Sequence, residues 1–195
     1  MMVLNANTLK DARITLTLIF LNVFIFINFT FILPWEDTLL FVQINRNIIY
    51  DHEIWRLFTS MFLHVDISHI FSNMIGLLLF GASLENNPNV PKWEFLMIYF
   101  LSGLIGNLFS LLLLPLDIIS LGASGAIFGL IGAVFVLVAT EDRSLLLFAS
   151  LYLVVFIITS LAPGINLWAH LFGLLVGMLF GYFIYMRRRR ITLVY

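Results

Sequence analysis

Charged residues are absent from five long stretches of the chain: 14–35, 67–84, 95–116, 118–140 and 144–186. A helix crossing the ~30 Å hydrocarbon core of a bilayer needs about 20 residues, or about 17 at the short end. Each of the first four stretches is long enough for one crossing. The last holds two, divided at Ala162-Pro163-Gly164. A water-soluble domain usually carries roughly 25% charged and 45–50% apolar residues. Here 11% of 195 residues are charged and 62% hydrophobic, with a mean hydropathy of +1.05. That is too little charge to cover a soluble surface. The expectation is an all-α polytopic membrane protein, a single six-span domain over 1–195. Its spans fall at about 14–33, 67–84, 94–114, 122–140, 144–161 and 166–186, with one long loop at 34–66.

The first apolar run is too long for a signal-peptide core and lacks a small-residue cleavage site, so it reads as a retained span. There is no Cys, which removes disulfides, thiolate nucleophiles and thiolate metal sites. The formal net charge of −1 favours neither acidic nor basic partners.

With six spans, both termini lie on one side. Lys10, Arg13, Lys92, Arg143 and Arg187 to Arg190 share that side, and only Arg46 and Arg56 lie opposite. The positive-inside bias places both termini in the cytoplasm of a plasma-membrane protein and the 34–66 loop outside. The Arg187–Arg190 run reads as a stop-transfer anchor meeting anionic head groups of the bilayer. One short tail is no nucleic-acid surface. Pro34-Trp35, Phe41, Tyr50 and Trp55 suggest that the loop seats at the interface, with room for two or more short helices.

Polar side chains inside spans are costly and usually face a bundle interior or a wet cavity. His69 and Asn73 lie near the outer end of span 2, Ser124 near that of span 4, and His170 near that of span 6. At about 1.5 Å per residue, Ser124, His170 and Asn73 all sit up to ~10 Å below the outer boundary. Asn107 lies in span 3, and Asn22 and Asn28 in span 1. His69 and Asn73 are four apart and share a helix face. His170 lies on one stripe with Gly173, Gly177 and Gly181, and span 4 carries Gly122, Gly125, Gly129 and Gly132. Small residues let two helix backbones approach closely, near enough for Ser124 to reach His170. Each feature alone has a plain packing explanation; their convergence at one level of one leaflet points to chemistry.

Serine with histidine is the minimum for nucleophilic acyl transfer, the imidazole taking the hydroxyl proton and returning it to the leaving amine. His69, Asn73 and the free N–H groups of the helix that Ser124 begins are candidate oxyanion donors. No acid lies in the interior to orient His170, so the set is a dyad.

These residues resemble the rhomboid family of intramembrane serine proteases, in its minimal six-span prokaryotic form. Gly122-Ala123-Ser124-Gly125 is similar to the family's GxSG motif, and Ala169-His170 with Gly173 and Gly177 to its AHxxGxxxG motif. His64, His69 and Asn73 follow the HxxxxHxxxN pattern, Trp55-Arg56 the WR pair, and Gly81 to Glu85 the acidic end of span 2. The resemblance implies Ser124 as nucleophile, His170 as general base, and His69, Asn73 and the Ser124 N–H as oxyanion hole. It also implies that Phe128, where the family commonly has Tyr, packs on the catalytic His. Trp55, Arg56, Glu85, Gly173 and Gly177 would hold the framework. The implied substrates are single-span membrane proteins, cut near the outer membrane face without cofactor or metal. A metal site is the first rival reading, drawn from His52, His64 and His69 with Asp51, Glu53 and Asp66. His64 to His69 lacks the spacing and Glu of a HExxH helix, however. A catalytically dead relative would typically lack the Ser or the His, and a transporter would show an internal repeat.

Overall fold

In a computed structural model, which describes residues 10–141 and 146–192, the charge-free stretches become helices. Helix α1 (Arg13–Ile32) closes in a wide turn over Asn28–Ile32. The loop that follows carries α2 (Trp35–Leu39), β1 (Gln43–Ile44), α3 (Asn45–Tyr50) and α4 (Arg56–Thr59). Then come α5 (Ile67–Glu85), α6 (Lys92–Leu113), β2 (Ile119–Ser120), α7 (Ser124–Glu141), α8 (Leu146–Thr159) and α9 (Leu167–Thr192). The protein is an all-helical polytopic membrane protein whose β structure, among the described residues, is one two-residue antiparallel pairing of β1 with β2.

Four helices, α1, α5, α6 and α9, are long and apolar enough to cross a membrane. The helices in the other two charge-free regions are shorter than expected. The fourth starts at Ser124 instead of 122, because Gly122 has φ 130° and the chain before it is extended. The fifth, α8, has 14 residues, or ~21 Å of helix. Arg143, one of the basic residues used to orient the chain, lies outside the described residues.

Two helix starts are closed by side chains, one distant in sequence and one local. The first N–H groups of a helix have no intrahelical partner. At α1 they are met by Glu85 from the far end of α5, whose carboxylate accepts from Ile14 N (3.0 Å), Thr15 N (2.7 Å) and Thr15 Oγ1 (2.8 Å). Asp66 caps α5 by accepting from His69 N–H at 2.8 Å. The Ser68 hydroxyl and that N–H hold its carboxyl below the usual carboxylate range.

Helices α6, α7 and α9 pack on one another to form the centre of the bundle. Along α7 and α9 the glycine contacts rise in step. A Cβ at Gly173 would strike Gly125, one at Gly177 would strike Gly129, and one at Gly181 would strike Ala133. The two helices are therefore parallel, and begin at the same end. Against α9, helix α6 runs the other way, with Ser110 bonded to Asn166 at one end and Glu94 paired with Arg187 at the other.

The 34–66 loop is folded around Arg56, which is 2% exposed. Its guanidinium donates to the carbonyls of Leu39 and Val42 and pairs with Glu53. Trp55 Nε1 donates to Leu40 O at 3.2 Å, and Thr59 Oγ1 to Phe41 O at 2.7 Å. Arg46 forms an exposed ion pair with Asp117, whose carboxyl it holds below its ordinary range.

Candidate active site

Ser124 is the first residue of α7 and lies beside the start of α9. Its Oγ is 2.7 Å from His170 Nε2. His170 is buried, 8% exposed, and the ring of Phe128, one turn along α7, stacks on it with centroids 4.2 Å apart at 12°. The glycine stripe makes this approach possible. With no Cβ at Gly173 or Gly177, the backbone of α9 lies directly on the carbonyls of Gly125 and Gly129.

The turn before Ser124 is shaped by Gly122. Its N–H donates to Ser60 O at 2.9 Å, and its positive φ is one that side-chain-bearing residues rarely adopt. A Cβ there would lie 2.8 Å from His69 Nε2 and 3.8 Å from Asn73 Nδ2. Both α5 side chains therefore end against the turn that delivers Ser124. Asn73 is 6% exposed, and its Nδ2 is buried without a protein acceptor. At the head of α7 the first helical bond runs from Ile127 N–H to Ala123 O, so the N–H groups of Ser124, Gly125 and Ala126 precede the helical ladder. One small volume thus gathers a hydroxyl on an imidazole, an amide donor with no partner, a second imidazole and a helix N-terminus.

Two neighbours escaped the sequence reading. Ser160, just past the end of α8 and 2% exposed, places Oγ 2.7 Å from His170 Nδ1. Asn166 caps α9 through its Oδ1, which accepts from Ala169 N–H at 3.0 Å. The same Oδ1 accepts from Ser110 Oγ on α6, and its Nδ2 donates to Ser120 Oγ ahead of Gly122. Asn107 joins this layer, donating to Leu57 O and Ser60 Oγ.

The remaining sequence candidates lie around this centre or away from it. His64 sets its ring edge-on to His69 at 5.0 Å. Trp55, Arg56 and Glu85 hold the loop and the α1–α5 junction and do not reach Ser124. Asn22 and Asn28 bond to carbonyls of their own helix, Leu18 O and Phe24 O. Of the acidic residues weighed for a metal, Glu53 is taken by Arg56 and Asp66 caps α5.

A serine hydrogen-bonded to a buried histidine inside a polytopic helical bundle defines the class: a membrane-embedded protein with the groups for acyl transfer. Residues 51–187 match the family model described as the rhomboid domain. YdcA of Bacillus subtilis (strain 168), named provisionally as a rhomboid protease, is 33% identical over 80% of this chain and 78% of its own length. The RHOMBOID-like protein 1 of Arabidopsis thaliana is 36% identical over 69% of this chain. The Inactive RHOMBOID-like protein 8 of the same plant is 41% identical over 43%. This chain spans only 36% and 23% of the two plant proteins. The chain belongs to the rhomboid family of intramembrane serine proteases.

Proposed function

We propose that this chain hydrolyses peptide bonds of transmembrane proteins near the outer membrane face, with Ser124 as nucleophile and His170 as general base. The observation that carries the reading is the 2.7 Å approach of Ser124 Oγ to Nε2 of the buried His170. Family membership alone is not sufficient, since one relative is named inactive.

As Ser124 Oγ attacks the scissile carbonyl carbon, its proton passes to His170 Nε2 and the carbonyl π electrons move onto oxygen. Asn73 Nδ2, His69 and the Ser124 N–H are the donors for that oxyanion, preorganised where charge develops. When the tetrahedral species collapses, the C–N bond breaks and the amine leaves with the proton from His170. Water, deprotonated by the same imidazole, then hydrolyses the acyl-enzyme and restores Ser124. Phe128 keeps the imidazole plane fixed through both steps.

The remaining parts of the reading follow the charge pattern. The domain crosses the bilayer six times, with α7 and α8 supplying the fourth and fifth crossings. Lys10, Arg13, Lys92 and Arg187 to Arg190 put both termini in the cytoplasm. The parallel helices α7 and α9 then begin in the outer leaflet, where water enters and a substrate helix can unwind. The substrates are single-span proteins.

Purified protein in liposomes should cleave a single-span substrate and take a fluorophosphonate label at Ser124. Ser124→Ala and His170→Ala should each abolish cleavage while the protein stays folded. Undiminished cleavage by folded Ser124→Ala would overturn the mechanism.

A further inference from the structure

We propose that Ser160 is a positioning residue for the His170 base, a neutral third member of the set; this rests on the Ser124–His170 reading above. For Nε2 to accept the Ser124 proton, the resting neutral imidazole must carry its single hydrogen on Nδ1. That hydrogen needs an acceptor, because an unpaired donor in a buried site is costly. Ser160 Oγ is 2.7 Å from Nδ1 and 2% exposed. Nδ1–H therefore donates to the Ser160 hydroxyl oxygen, and this selects the tautomer whose bare Nε2 faces Ser124.

The geometry also limits the ring's freedom. Phe128 lies flat on the imidazole at 12°, which fixes the plane. Rotation within that plane is what the two end-on contacts, Ser124 at Nε2 and Ser160 at Nδ1, hold. Ser160 comes from the chain just beyond α8, where its N–H donates to Ile157 O at 3.1 Å, so it approaches from a different element than either reacting group. A hydroxyl here does part of the work of the acid in a Ser-His-Asp triad: it sets tautomer and orientation. It does so without placing a permanent carboxylate inside a membrane domain, where charge is expensive. When His170 takes the Ser124 proton, both ring nitrogens are donors, and Ser160 remains the acceptor at Nδ1.

A neutral hydrogen bond contributes about 0.5–1.5 kcal/mol, so its loss corresponds to roughly a 2- to 13-fold fall in rate. The test compares Ser160→Ala, Ser160→Cys and Ser160→Thr with the wild type in liposomes. Measurements are kcat, KM, the rate of fluorophosphonate labelling at Ser124, and ¹⁵N shifts of the histidine ring. Ser160→Ala should lower kcat and the labelling rate together, by up to about tenfold, with KM unchanged. It should also move the His170 ¹⁵N signals away from the pure Nδ1–H tautomer. Ser160→Thr, which keeps the hydroxyl, should restore both. If Ser160→Ala fails to fold, the near-isosteric Ser160→Cys, a weak acceptor, carries the comparison. Wild-type kcat with an unchanged tautomer in either variant would overturn the role of Ser160. The ring signals read that role even if Ser124→Ala still cleaves, an outcome that would overturn the protease reading instead.

Discussion

Gly177→Ala tests whether close backbone approach, more than the identity of the reacting groups, sets the activity. In an exposed helix this change stabilises by about 1 kcal/mol, because Ala is the better helix former. Here the new methyl would coincide with the carbonyl group of Gly129, with the Gly129 Cα only 2.7 Å away. Backbone cannot rotate aside as a side chain can. Restoring a carbon–carbon separation of about 3.5 Å requires α7 and α9 to part by ~1 Å. Overpacking of this kind costs about 1–3 kcal/mol, so after the propensity gain the net loss of stability is roughly 0–2 kcal/mol. The consequence at the site is larger. Opening the 2.7 Å bond between Ser124 and His170 by ~1 Å takes it beyond hydrogen-bond range, and a misplacement of that size costs on the order of 10²-fold in rate. The expected signature is a kcat about 100-fold below wild type in liposomes with a melting temperature only slightly lowered. Gly76→Ala is the control, since its methyl meets only the Ile127 Cγ2 at 3.1 Å, the end of a movable side chain. A folded Gly177→Ala protein with wild-type kcat would refute the coupling of helix spacing to chemistry.

Asn73→Ala should lower kcat by roughly 10²–10³ with little change in KM, the cost of one oxyanion donor; an unchanged kcat with a lowered melting temperature would make Asn73 a packing residue instead. Glu85→Ala removes the acceptor of Ile14 N, Thr15 N and Thr15 Oγ1 and leaves Lys92 without its carboxylate. Since Lys92 is half exposed, the cost falls on the unsatisfied donors at the start of α1: the fold should lose about 1–3 kcal/mol, while the labelling rate of Ser124 in the remaining folded protein stays near wild type. A reporter fused after Arg190 should read cytoplasmic and one inserted near Asn45 external, the reverse pattern undoing the leaflet assignment.

The helices were legible because bilayer solvation imposes length and apolarity, and charge gaps report both. The site was legible for the converse reason: a polar side chain in such a gap has few uses. Ser124, His170, His69 and Asn73 stood out against apolar runs, and the structure brings all four around one turn. Ser160 did not stand out, since a lone serine near the end of the 144–161 span has a plain explanation in a bond to its own helix, and its contact to Nδ1 depends on how α8 meets α9. Asn166 carried a usable signal, an Asn at the cap position before the apolar run of α9, whose bonds to Ser110 and Ser120 no local pattern encodes. The 34–66 loop lacked periodicity because its fold is dictated by Arg56 reaching carbonyls 14 and 17 residues away. Gly122 looked like one more packing glycine, yet its positive φ delays the start of α7 to Ser124.

The distribution of polar groups between the two ends of the bundle bears on how such a site can work. At the end where α7 and α9 begin, one polar layer is neutral: Gln43, Asn45, Asn107, Ser110, Ser120 and Asn166 link one another and nearby carbonyls. Charges at that end are held in the Arg56–Glu53 and Arg46–Asp117 pairs and the Asp66 cap. At the opposite end the buried carboxylates Glu85 and Glu94 are paired with Lys92 and Arg187. Fixed charges near the reacting pair would polarise or protonate the imidazole at rest and add a desolvation cost with every fold. Neutral dipoles do neither, but they hold Ser124, Gly122 and the α9 terminus in register. In the proposed mechanism His170 is hydrogen-bonded to hydroxyls, and the charges at the reacting pair are those that appear during reaction, an oxyanion beside Asn73 and an imidazolium beside Ser160. Preorganised neutral donors and acceptors stabilise such transient charges without reorganising. On this reading, ionised groups of the domain sit in ion pairs and a helix cap, and the reacting pair itself gains charge only during reaction.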